Sequence, residues 1–164
     1  MTLVSLTLLM GFATQNQPVV TPEELMNSAL KATELTFVKS ESGLSFLVDF
    51  NHPDKLTQRV YVSTTSNAIL SIRPHTIYTD VWSGKEPPSA EILEKALSTV
   101  KKMGHFYLYT DSKNTHSIRF GANFDASTLL AEPKKDDESV KALKNIIYFV
   151  DQVGFEASRN FQGK

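Results

Sequence analysis

Residues 104–120 read Gly104-His105-Phe106-Tyr107-Leu108-Tyr109-Thr110, then Asp111-Ser112-Lys113-Asn114, then Thr115-His116-Ser117-Ile118-Arg119-Phe120. Two β-prone runs flank a short polar segment of turn-forming residues, which is the pattern of a β-hairpin. The strands are expected over 105–110 and 116–123. Upstream, Leu44, Phe46, Val48 and Phe50 alternate with Ser45, Leu47 and Asp49, the period-two signature of a half-buried strand. Leu35 to Lys39 is β-prone before it, with Ser40-Glu41-Ser42-Gly43 as the turn between them. Val60 and Val62 alternate with Arg59, Tyr61 and Ser63 in the next strand, and Ala68 to Ile72 reads as another. Pro74 interrupts that strand, with His75 to Thr79 as an irregular extension. Successive hairpins build antiparallel sheets.

Three helical stretches frame these strands. Thr21-Pro22-Glu23-Glu24 offers a cap, a proline at the first helical position and a capping-box glutamate. Leu25, Met26, Ala29, Leu30 and Ala32 continue it as an apolar stripe, for a helix over 22–34. Asp80 to Pro88 reads as a loop carrying the single tryptophan, Trp82, whose large apolar area suits a fold back onto the core edge. Ser89 opens a second helix over 90–103, with Lys101 and Lys102 suiting its C-terminal dipole and Gly104 ending it. Val140, Leu143, Ile147, Val150 and Gly154 share one face of a last helix over 137–158, which Ile146, Phe149 and Val153 widen. The expected class is α+β: an antiparallel sheet of five to six strands with helices. Its order is α-β-β-β-β-α-β-β-α, or α-β-β-β-α-β-β-α where two short strands merge.

The chain has 164 residues, enough for one domain with a real core. A single domain over 21–160 and a tail over 161–164 are expected. Seventeen basic residues against eighteen acidic give a net charge of −1. That balance argues against nucleic acid as a partner, because such binders carry a basic excess. There is no cysteine. Disulfide frameworks, thiolate metal sites and cysteine nucleophiles are thereby excluded.

Met1 to Ala13 reads MTLVSLTLLMGFA and carries no charged side chain. At roughly a dozen residues its apolar run is too short for a bilayer, which needs about 20. Gly11-Phe12-Ala13 is a small-x-small site, and polar Thr14-Gln15-Asn16-Gln17 follows. This reads as a secretory signal cut after Ala13, with 14–20 as linker and a periplasmic or secreted product. The missing Lys or Arg departs from the usual signal, and a start upstream of Met1 would account for it. No second long apolar run follows, so no integral membrane segment is expected after cleavage.

No GxSxG, phosphate-binding loop, GxGxxG or HExxH motif occurs. The histidines are His52, His75, His105 and His116. Strand alternation sends His105 and His116 to opposite faces, which works against a shared metal site. Asp49, Asp80, Asp111 and Asp125 fall at strand ends or loops. No catalytic residue, metal or cofactor is therefore assigned.

The positive clue lies in the faces of the strands. If Phe46, Val48, Val60, Val62, Phe106, Leu108, Ile118 and Phe120 face the core, the other face presents Leu47, Arg59, Tyr61, Tyr107, Tyr109 and Arg119. Tyrosine and arginine on a sheet are favoured ingredients of protein interfaces.

The run from the second helix through Lys102-Met103-Gly104-His105-Phe106-Tyr107-Leu108 into the hairpin, closed by a long C-terminal helix, resembles the YbjN-like family, which shares the fold of type III secretion chaperones. The resemblance covers about 21–158. It implies a small, dimer-prone domain that binds other polypeptides without catalysis, and it carries over no site residue. The expected function is an exported, non-enzymatic domain that binds a protein, a peptide or a second copy of itself. The alternative is an envelope carrier of a small ligand or lipid, held between the sheet and the C-terminal helix.

Overall fold

The computed structural model describes residues 20–53, 56–66, 74–98 and 103–162. Met1 to Ala13, and the strand expected at Ala68 to Ile72, lie outside the described residues. The helices are α1 (Pro22–Ala32), α2 (Ala90–Ser98) and α3 (Glu138–Gln162). The strands are β1 (Val38–Lys39), β2 (Ser45–Asn51), β3 (Thr57–Ser63), β4 (Pro74–Gly84), β5 (His105–Thr110) and β6 (His116–Asp125). All six form one antiparallel sheet in the order β1-β2-β3-β4-β6-β5. The class and the element order are those expected, the two-residue β1 being the extra strand before α2.

Local signals explain where the elements start. The Thr21 hydroxyl accepts from the Glu24 backbone N–H while Glu24 reaches back to the Thr21 N–H, and Pro22 occupies the first helical position. This satisfies donors that a helix start otherwise leaves bare. Glu34 takes φ +63°, and this left-handed residue stops α1 two residues short of its expected end. Ser89 accepts from the Ile92 N–H at 3.3 Å and caps α2 as expected. Between β5 and β6, Asp111 Oδ1 accepts from the N–H of Lys113 and of Thr115 at 2.8 Å each.

The three helices share one sheet face. Leu25, Met26, Ala29 and Leu30 of α1 are buried, as are Val140, Leu143, Ile147, Val150, Val153 and Ala157 of α3. They pack on Phe46, Val48, Val60, Val62, Ile77, Ile118 and Phe120 in one core. Burying each of the larger of these side chains, from valine upward, contributes about 1.5–3 kcal/mol. No helix among the described residues covers the other sheet face.

Three expectations need correction. Asp80 to Gly84 is strand, not loop: it continues β4 along β6, with Pro74 as first residue of the strand, where the missing N–H is tolerated. Asp80 pairs with Arg119 and Trp82 with Ile118, so Val81 is the extra residue of a bulge. The bulge turns both Val81 and Trp82 toward the core. Leu108 was expected in the core but is 58% exposed: on edge strand β5 it borders an open apolar hollow shared with Leu93 and Ala96 of α2. Finally, α3 runs to Gln162, and Phe161 packs on Phe106 with ring centroids 6.0 Å apart, so the expected tail begins inside the helix.

Candidate functional site

The helix-free face is built row by row from the strand register. One row runs Leu47, Tyr61, Tyr78, Gly121, His105 across β2, β3, β4, β6 and β5. In the next, Asp49 pairs with Arg59, Asp80 with Arg119, and Arg119 in turn with Tyr107. Ser117 and Tyr109 open the third. Cross-strand neighbours on one face lie within side-chain contact, so the rows form a continuous surface.

Arg119 is its centre. Its Nε donates to Asp80 Oδ1 at 2.8 Å. Its guanidinium carbon lies 3.5 Å from the Tyr109 ring centroid and 4.5 Å from that of Tyr78. Such cation–π contacts are worth about 0.5–2 kcal/mol, more as the group is desolvated. Tyr78 stacks on Tyr61 with centroids 4.9 Å apart and planes 7° from parallel. Tyr107 lies over Gly121, where an added Cβ would stand 3.1 Å from the ring. Arg59 sits at the rim and is held bidentately by Asp49, at 2.6 and 2.8 Å.

Electrostatics fix the protonation states. Burial pushes the Tyr107 hydroxyl up to about 12, with Arg119 opposing. Burial also raises Tyr61 and Tyr78. All three stay protonated at neutral pH and serve as hydrogen-bond donors. Burial works against the charge on Arg119, but the bond and charge of Asp80 outweigh it, and the guanidinium is raised overall. Such a surface offers stacking faces and hydrogen-bond donors.

Of the six residues singled out from sequence, Tyr61, Tyr107, Tyr109 and Arg119 join one platform. Leu47 borders it at Tyr61, and Arg59 belongs to a separate ion pair at the rim. Tyr78 and Asp80 were missed. The signal was there: Ile77, Thr79 and Val81 alternate with Tyr78 and Asp80. Reading a loop at Asp80 hid it. His105 and His116 fall on opposite faces, as expected, since His105 pairs with Gly121 and His116 with Thr110, five positions along.

A second polar cluster joins β2 to α3. His52 Nε2 lies 3.0 Å from Asp151 Oδ1, and the His52 ring stacks on Phe155 at 3.8 Å and 4°. Burial raises the Asp151 carboxyl, with His52 opposing. Hollows also lie beside α3, two of them between it and its neighbours. One of about 370 Å³ lies against Phe106, Val153, Ala157 and Phe161, with Lys95 and Glu156 on its wall. One of about 250 Å³ lies between β3 and the end of α3. Compared with known protein families and with curated proteins, the chain matches none.

Proposed function

We propose that this chain is an exported, non-enzymatic domain that binds a protein or peptide on its helix-free sheet face. The single observation that carries the reading is Arg119 held between the rings of Tyr78 and Tyr109 and anchored by Asp80. Arginine and tyrosine are enriched among the residues that carry interface energy: tyrosine offers large contact area at low entropic cost, and arginine offers a planar fork of hydrogen-bond donors. Here much of the entropy of ordering Arg119 is lost before any partner arrives, since Asp80 and two rings already hold it. The partner is another polypeptide or a second copy. The formal charge of −1 speaks against nucleic acid. The apolar run before Ala13 supports export, and the element order supports the YbjN-like resemblance.

The test replaces Tyr61 and Tyr107 by Ser, singly and together. Both side chains stand on the helix-free face, so the far-ultraviolet spectrum and the unfolding cooperativity are retained. Capture of the native partner falls at least tenfold in the double variant. Wild-type capture with both tyrosines gone rules out this face.

A small-ligand carrier is the second reading, favoured by the hollow of about 370 Å³ between α2, α3 and β5. Ligand pockets begin at about 300 Å³. Native mass spectrometry of the protein from its own cells finds a retained small molecule under this reading, and none under the first.

A further inference from the structure

The sheet ends at β5, and among the described residues no strand pairs with its outer edge. The Asp111 N–H donates to the Thr115 carbonyl at 3.0 Å, which makes these two a hydrogen-bonded pair beside the turn. Such pairs alternate along an antiparallel ladder, so Tyr109, Tyr107 and His105 bond inward to β6. The backbone N–H and C=O groups of Phe106, Leu108 and Thr110 then point outward, along the free edge. Soluble proteins blunt such an edge with a charge, a proline or a bulge, because it templates pairing with another chain. The run His105-Phe106-Tyr107-Leu108-Tyr109-Thr110 has no Lys, Arg, Asp, Glu or Pro, and its register with β6 is unbroken. Exposed apolar side chains also collect here, namely Met103, Leu108 and Tyr109. Beside Leu108 lies the open hollow, of about 150 Å³, whose wall includes Leu93, Ala96 and Ile118.

We propose that β5 pairs antiparallel with β5 of a second copy, about a two-fold axis at Leu108. The occupant is a second copy because the edge is complementary to itself. Phe106 and Thr110 are equidistant from Leu108, so antiparallel pairing sets Leu108 against Leu108 and Phe106 against Thr110. Every outward backbone group of the strand then meets its counterpart in the other copy. No carboxylate, ammonium or guanidinium on either strand opposes another, since β5 carries none. On the helical side, Leu108 of the second copy closes the open side of the hollow and is itself covered in return. On the other side, Tyr107 of one copy comes beside Tyr109 of the second, which joins two tyrosine platforms into one surface. The inference goes beyond the platform reading and does not depend on it. Backbone groups and Leu108 make the contact, and the platform stays open to a different polypeptide.

The test uses the absence of cysteine: a single introduced thiol reports its own approach to its copy. In a hydrogen-bonded pair the Cα atoms stand about 5.5 Å apart, within disulfide range. The purified chain carrying Leu108→Cys therefore links to itself under mild oxidation. Thr110→Cys does not, because its counterpart lies four positions along the strand, roughly 14 Å away. Sedimentation equilibrium finds a dimer for the unaltered chain. Leu108→Lys keeps cooperative unfolding but raises the dimer Kd at least about tenfold, since like charges then stand directly opposed. Tyr61→Ser, a platform change away from the edge, leaves the dimer intact. A monomer at high micromolar concentration overturns the proposal. So does linking by Thr110→Cys as readily as by Leu108→Cys, a dimer undiminished by Leu108→Lys, or one lost in Tyr61→Ser.

Discussion

Gly154 sits in the middle of α3, where glycine costs about 1 kcal/mol relative to alanine in an isolated helix. Here it is required by packing: an added Cβ would run into the methyl of Thr79, whose hydroxyl donates to the Arg59 carbonyl of β3. Gly154→Ala is therefore expected to destabilise by about 1–3 kcal/mol, the cost of overpacking, against the sign of helix propensity. Thermal unfolding decides it, and a raised Tm contradicts the contact. Spacing put Gly154 on the buried face of the helix, but the atom it meets belongs to a strand read as irregular. His75 is the second case. It is fully buried, its Nδ1–H donates to the Ser63 carbonyl at 2.7 Å, and Nε2 has no protein partner among the described residues. Burial lowers its pKa from 6.5. The folded state thus binds fewer protons than the unfolded state just below 6.5. Its stabilising share is present above that pH and is lost as pH falls toward the folded value. His75→Asn keeps a donor near Nδ1, and urea unfolding at pH 7 and 5 should show a smaller acid loss in the variant. An equal loss in both proteins removes His75 from the account. Sequence marked His75 only as one of four histidines, since nothing local tells a buried ring from an exposed one.

Elements read from periodicity survived where a continuous period buries one face, as in α1, α3, β2 and β6. β4 did not, because a proline at its start and a bulge at Val81 break the period that identifies a strand. Its loss also hid Tyr78 and Asp80, half of the setting of Arg119. Strand β5 teaches the converse lesson. Phe106 and Leu108 share a face by alternation, yet only Phe106 packs on the core, against Phe120 at 5.0 Å. Position in the sheet, not period, decides burial at an edge. Leu108→Lys is accordingly expected to change stability by no more than about 0.5 kcal/mol, the range of surface substitutions. The charge also blunts an edge strand that carries no Lys, Asp, Glu or Pro of its own. Urea unfolding of Leu108→Lys beside Ile118→Lys checks this, since Ile118 is 1% exposed and its replacement should prevent folding. Equal losses contradict the assignment of Leu108 to the surface.

At the scale of the molecule, three helices bury one sheet face and leave the other to the tyrosines and arginines. Composition and strand alternation made that division legible before any coordinates, including four of the residues that form the platform. They did not reveal the strand order, which places β4 beside β6 and thereby brings Asp80 and Tyr78 to Arg119. Neighbours across a non-sequential pair carry no local signature in one sequence. The central claim is that this helix-free face holds a polypeptide. Site-specific photo-crosslinking in the native cells tests it most directly, with the probe at position 61, 107 or 109 and, for contrast, at Tyr148, which α3 exposes on the helical side. The account predicts one discrete polypeptide adduct from the three sheet positions, none from position 148, and loss of the adduct in Arg119→Ala. Equal adducts from both sides, or adducts indifferent to Arg119, would contradict it.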